Sequence, residues 1–137
     1  METTNSEKNS KRLNYPSGSK WEDIVGYSRV VKVGNFIEVA GTTATGEDGK
    51  IQGKDNPYLQ TKFIIEKISR YLNLAGSTLG NVTRTRIFVK DIDKWEEIGR
   101  AHGEFFQHIK PVTSMVEVSR LIDPDILVEI EASAIIP

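Results

Sequence analysis

Three carboxylates stand inside β-branched, apolar runs, where an uncompensated charge is costly: Glu117, flanked by Val116 and Val118, and Glu129 and Glu131 in Val128-Glu129-Ile130-Glu131. Residues two apart on a regular strand share a face, so Glu129 and Glu131 point the same way. Such groups have two uses. They pair with cations as structural ion pairs, for which Arg84, Arg86, Lys90 and Arg120 are candidates, or one of them orients water and accepts a proton in a cleft. The pattern alone leaves both open.

Other chemistries find less support. Gly41-Thr42-Thr43-Ala44-Thr45-Gly46 has the two-glycine spacing of a phosphate loop, but Glu47-Asp48 follow where Lys and Ser/Thr are needed, and two carboxylates repel phosphate. A Gly-x-Gly-x-x-Gly dinucleotide signature is missing. His102 and His108 are the only histidines; His102 and Glu104, two apart on an expected helix, point to different faces and make no metal site. Both histidines read as structural or surface residues. Asn81-Val82-Thr83 matches a glycosylation sequon and reads as coincidence.

The 137 residues hold no cysteine, which removes disulfides, thiolate metal sites and a cysteine nucleophile. Lys+Arg 18 against Asp+Glu 19 leaves a net charge of -1, so no global positive field draws in nucleic acid or anionic lipid. No apolar stretch approaches a membrane span, and the polar start shows neither a signal peptide nor a transit peptide pattern. A soluble, cytoplasmic protein is expected, with residues 1–20 as a mobile tail and 21–137 as one domain.

These carboxylates need strands and helices to position them. Val30, Val31 and Val33, then Phe36-Ile37-Glu38-Val39-Ala40, flank Gly34-Asn35 and predict a β-hairpin. Residues 42–53 read as a loop, with a short strand at Lys50-Ile51-Gln52. Asn56-Pro57 opens a helix whose Ile64, Ile68 and Leu72 recur at helical spacing to about Ala75, and Gly76 stops it. A strand over 82–89 follows. Asp93 is expected to cap a second helix with the stripe Trp95, Ile98, Ala101, Phe105 and Ile109, ending before Pro111. Strands over 113–121 and 126–135, joined through Asp123-Pro124-Asp125, close the chain. The order β-β-α-β-α-β-β, paired locally at both ends with two helices on one face, is an α+β sheet; its uncovered face favours oligomerisation.

Gly26-Tyr27, Val33-Gly34-Asn35, Ala40-Gly41, Ile87-Phe88-Val89-Lys90-Asp91, Phe105-Phe106, the run from Pro111 to Leu121 and Val128-Glu129-Ile130-Glu131-Ala132 together resemble the reactive intermediate deaminase (Rid, YjgF-like) family, from about Gly26 to Ala134. The resemblance implies a chorismate-mutase-like α+β fold, a homotrimer with ligand clefts between subunits, and no metal or organic cofactor. Deaminating members hydrolyse enamines and imines to 2-oxo acids and ammonia. Carried over by motif, Glu129 is the acid near the attacking water, Tyr27 lines the cleft, and Gly41 brings its backbone to the ligand. The family's substrate-binding arginine falls at Thr113, beside Met115. A threonine hydroxyl offers one neutral donor in place of a charged fork. That exchange costs about 1.5–3 kcal/mol, or roughly 10- to 150-fold in affinity for a carboxylate. Arg84, where relatives often have lysine, or Arg86 is the substitute cation considered.

Three functions follow from the resemblance. The first is an imine or enamine deaminase with altered substrate preference, and the second a non-catalytic, metabolite-binding regulatory trimer. A ribonuclease or translation inhibitor is disfavoured by the near-neutral charge and the lack of a basic, aromatic stripe.

Overall fold

A computed structural model describes residues 11–137. The elements run β1 (Arg12–Tyr15), α1 (Lys20–Val25), β2 (Val30–Val33), β3 (Phe36–Thr42), α2 (Pro57–Leu74), β4 (Val82–Val89), α3 (Trp95–Phe106), β5 (Val112–Glu117) and β6 (Val128–Ile135). Six strands form one sheet in the order β1-β2-β3-β6-β4-β5. The two long helices cover one face, giving the mixed α+β architecture expected.

Local chemistry explains several boundaries. The β2–β3 hairpin pairs Val33 with Phe36 around Gly34, whose φ of +58° suits glycine. Asn56 caps α2 by accepting a 3.0 Å hydrogen bond from the Leu59 amide, Pro57 occupies the first turn, and Gly76, at φ +83°, carries the chain away. The core lies between helices and sheet. Ile64, Ile65, Ile68 and Leu72 of α2 and Ile98 and Phe106 of α3 pack on Ile37, Val39, Ile87, Val128 and Ile130. Each large apolar side chain so buried contributes about 1.5–3 kcal/mol, which holds α2 firmly against the strands beneath.

The closing strands differ from the expected hairpin. β5 runs parallel to β4, while β6 lies antiparallel between β3 and β4. The reason is α3: a helical crossover is long enough to return the chain parallel to β4, and residues 118–127 then carry it back past β4. Fully buried Gln60 secures that return, accepting from the Leu127 amide at 2.9 Å and donating to the Asp125 carbonyl at 2.9 Å.

Three local expectations also change. Asp91, not Asp93, provides the cap: its carboxylate accepts from the Asp93 amide and starts a 3-10 turn, Ile92–Lys94, that feeds α3. Trp95, expected in the apolar stripe, is the first residue of α3 and stays 55% exposed, while Ile98 and Ala101 further along carry the buried face. At the N-terminus, the expected tail includes β1, whose backbone pairs with β2, and the start of α1; residues 1–10 lie outside the described residues. Among the described residues no helix is long and apolar enough to cross a membrane.

Candidate functional site

An open cleft of about 1660 Å³ lies where the C-terminal end of β3, the flank of α2 and residues 120–126 meet; Tyr27, Arg29, Gly41, Lys67, Tyr71 and Glu129 line it. Glu129 reaches it because alternation along β6 buries Val128 and Ile130 under the helices and turns Glu129 to the opposite face. The β3–β6 register shifts between Val39 and Thr42, and Gly41 sits within that irregularity. There the glycine leaves room for the carboxyl group. A Cβ at position 41 would lie 3.1 Å from the Glu129 carboxyl carbon and 3.3 Å from both oxygens.

Burial pushes the Glu129 carboxyl above its ordinary pKa and outweighs the opposing pull of Arg29; Glu131 pushes it further upward. A half-buried carboxyl group with a raised pKa is a better proton acceptor than an ordinary surface glutamate. Arg29 donates from Nη2 to the Gly41 carbonyl at 2.5 Å, and its guanidinium stands 5.5 Å from the centre of the Tyr71 ring. On α2, Lys67 Nζ donates to the carbonyls of Thr43 (2.9 Å) and Thr45 (2.8 Å), pinning the loop after β3. Desolvation, followed by the neighbouring Arg29 and Arg70, lowers the Lys67 pKa to about 8.

Of the residues singled out from sequence, Tyr27, Gly41 and Glu129 meet in this cleft; Arg84, Thr113 and Met115 stand elsewhere in the chain. Thr113 faces the helices and shares a 2.8 Å hydrogen bond with Thr85, which in turn bonds His102 Nε2 at 2.9 Å. Burial lowers the His102 pKa, and its ring packs on Phe106 with centroids 4.6 Å apart. Met115 packs on the core beside Ile87. Arg84 lies on the sheet face away from the helices, in a shallow pocket with Glu38, Arg86, Glu131 and Ser133. There Arg86 pairs with Glu131 at 3.8 Å. Glu117 accepts from the Ile92 amide at 3.2 Å, a structural role at the start of the 3-10 turn. No metal-type cluster of three His, Cys, Asp or Glu side chains occurs among the described residues.

Arg29 and Lys67 are the site residues that sequence reading missed. Lys67 offered one signal, a cation immediately before core residue Ile68 on the amphipathic helix. Arg29, in Tyr27-Ser28-Arg29-Val30, carried none, since an arginine at the mouth of a strand reads as solvent-facing.

The mixed α+β sheet is an architecture shared with known proteins. Residues 18–136 match the profile of the family described as Endoribonuclease L-PSP, and the chain belongs to that family, the YjgF/Rid group. It is 40% identical over 112 residues to a RutC family protein of Pyrococcus abyssi, covering 79% of this chain and 84% of that protein. An uncharacterised protein of Streptomyces coelicolor is 36% identical over 118 residues, covering 86% and 87%. Among solved structures, Rv2704 of Mycobacterium tuberculosis, a member of the YjgF/YER057c/UK114 family, superposes with a TM-score of 0.83 at 47% identity, covering 92% of this chain and 100% of that one. YyfA of Yersinia pestis, of the Rid family, gives 0.80 at 26% identity, with coverage of 92% and 100%.

Proposed function

We propose that the cleft binds a small imine or enamine metabolite and that Glu129 promotes its hydrolysis. The observation that carries this reading is the Glu129 carboxyl, half-buried against Gly41, with a raised pKa and an arginine nearby. An enamine first tautomerises to the imine. The imine reacts in its N-protonated form: Glu129 takes a proton from water as the water oxygen bonds to the imine carbon, and the C=N π electrons pass to nitrogen to give a neutral carbinolamine. Glu129 then returns its proton to that nitrogen, the C–N bond breaks to expel ammonia, and the hydroxyl proton passes to solvent or the ammonia as the carbonyl forms. Imine hydrolysis is intrinsically easy, so orienting the water supplies much of what the site must do.

Homotrimer assembly and a cytoplasmic location belong to the same proposal. Thr113 and Met115 stand on β5, at the edge of the sheet and away from Glu129, so a neighbouring copy is the means by which their strand would close a cleft. Catalysis is tested by generating imines in situ with an amino-acid oxidase and measuring competition with semicarbazide trapping. Faster loss of imine with the protein present supports the reading; unchanged trapping across several amino acids sinks it.

A second reading, a non-catalytic metabolite-binding trimer, is favoured by Thr113 in place of the family's arginine. It predicts binding without turnover. The family's description as an endoribonuclease gives a nuclease reading less support here, because Arg86 is already paired with Glu131 and the net charge is -1.

A further inference from the structure

Burying a guanidinium is costly unless its charge and donors are met. Arg29 is 9% exposed, yet among the described residues its side chain makes one hydrogen bond, to the Gly41 carbonyl, and its buried Nε has no partner. Nor does a carboxylate lie within ion-pair distance: the ion pairs among the described residues are Lys62–Glu104 and Arg86–Glu131. Lys67 and Arg70 stand beside it on the flank of α2 and line the same cleft. The charges that act on the Lys67 ammonium are Arg29 and Arg70, both cations. Glu129 feels Arg29 but is not in contact with it. Glu47 and Asp48 also line the cleft but are not among the charges acting on Lys67, and Asp48 is engaged by the Lys50 amide. Three cations therefore share one wall without a matching carboxylate, an arrangement that repels itself until something negative enters.

We propose that Arg29, Lys67 and Arg70 form an anion subsite of the cleft, taking a carboxylate or phosphate group of the ligand, with Arg29 as the anchor that Thr113 does not supply. The inference rests on the cleft being the ligand site and adds the residues and charge that select the ligand. Arginine suits the anchoring role because its planar fork presents five donors, most of them unspent here. Lys67 is restrained by two carbonyls and Arg70 is exposed, so both act mainly through charge. An anion held near Arg29 places the carbon next to it towards Glu129, where water is to be delivered.

The test is calorimetric titration of the full chain with inorganic phosphate and, separately, malonate, at ionic strength fixed with sodium chloride. Saturable binding of at least one anion is expected, weakened tenfold or more in Arg29→Gln, several-fold in Arg70→Gln, and unchanged in Arg100→Gln on α3. Binding of phosphate alone assigns a phosphate group to the ligand, and binding of malonate alone a carboxylate. Circular dichroism checks that Arg29→Gln folds; if it does not, exposed Arg70→Gln decides the matter. No saturable binding of either anion, or wild-type affinity in the folded variants, overturns the proposal. Turnover is not read in this experiment. Anion binding without imine hydrolysis thus removes the catalytic reading and leaves the subsite standing, and hydrolysis without anion binding does the reverse.

Discussion

Glu129 and Glu131 are two residues apart on one strand, face the same side of the sheet and each have an arginine nearby, yet their surroundings separate them. Glu131 pairs with Arg86 in the open, with side chains 41% and 56% exposed, where water screens the pair. Glu129 is tucked against Gly41 at the wall of a cleft, where desolvation raises its pKa and Arg29 stands near without touching it. Strand alternation assigns the face; what lies over that face decides between an ion pair and a reactive group.

The sharpest way to break this comparison is to neutralise each acid in turn. Under the catalytic reading, Glu129→Gln lowers imine turnover by about 10²- to 10⁴-fold, the usual scale of general acid–base catalysis, whereas Glu131→Gln changes it less than twofold in the semicarbazide assay. Equal losses in the two variants would remove the distinction. Gly41→Ala comes next. Its Cβ would crowd the Glu129 carboxyl at 3.1–3.3 Å and force it to move by a few tenths of an ångström, so a roughly tenfold loss of turnover with little change in folding is expected. Wild-type rates in Gly41→Ala would mean that carboxyl position does not matter.

Stability separates the two acids as well. Because the folded-state pKa of Glu129 is raised above its ordinary 4.5, the native state binds more protons than the unfolded state between those two values. Its contribution to stability is therefore lost as pH rises through that window, and the charged group opposes folding at neutral pH. Glu129→Gln should melt at the same temperature as wild type or higher at pH 7, with the relative gain shrinking as pH falls from the raised folded-state pKa towards about 4.5 and levelling off below it. A lower melting temperature at pH 7 would show that Arg29 stabilises the carboxylate more than burial opposes it. The smallest effect belongs to the open pair: Arg86→Ala should cost about 0.2–1 kcal/mol by urea unfolding, less at high salt.

Much of this fold is written in local sequence. Asn56-Pro57 and Gly76 bracket α2, Gly34-Asn35 marks the first hairpin, and the apolar alternation from Val128 to Ala134 marks β6 and its faces. The place of β6 between β3 and β4 is not legible in this way, because it depends on pairing between residues such as Glu38 and Ser133, 95 positions apart. Asp91 and Asp93 are equally good caps on paper, and the structure chooses between them through the 3-10 turn. For the site, motif resemblance pointed to Tyr27, Gly41 and Glu129. Arg29 escaped notice because its burial comes from Gly41, Tyr71 and the loop after β3, which meet only once the sheet and α2 have packed.

The central claim is that ligand chemistry belongs to the cleft around Glu129 and not to the Arg84–Arg86 pocket on the open sheet face. Titrating pyruvate, a 2-oxo acid of the proposed product class, into uniformly ¹⁵N-labelled protein and following amide shifts tests this most directly. The account predicts saturable shifts centred on Tyr27, Arg29, Gly41 and Glu129. Shifts centred on Arg84, Arg86 and Glu131 instead, with the cleft amides unmoved, would contradict it.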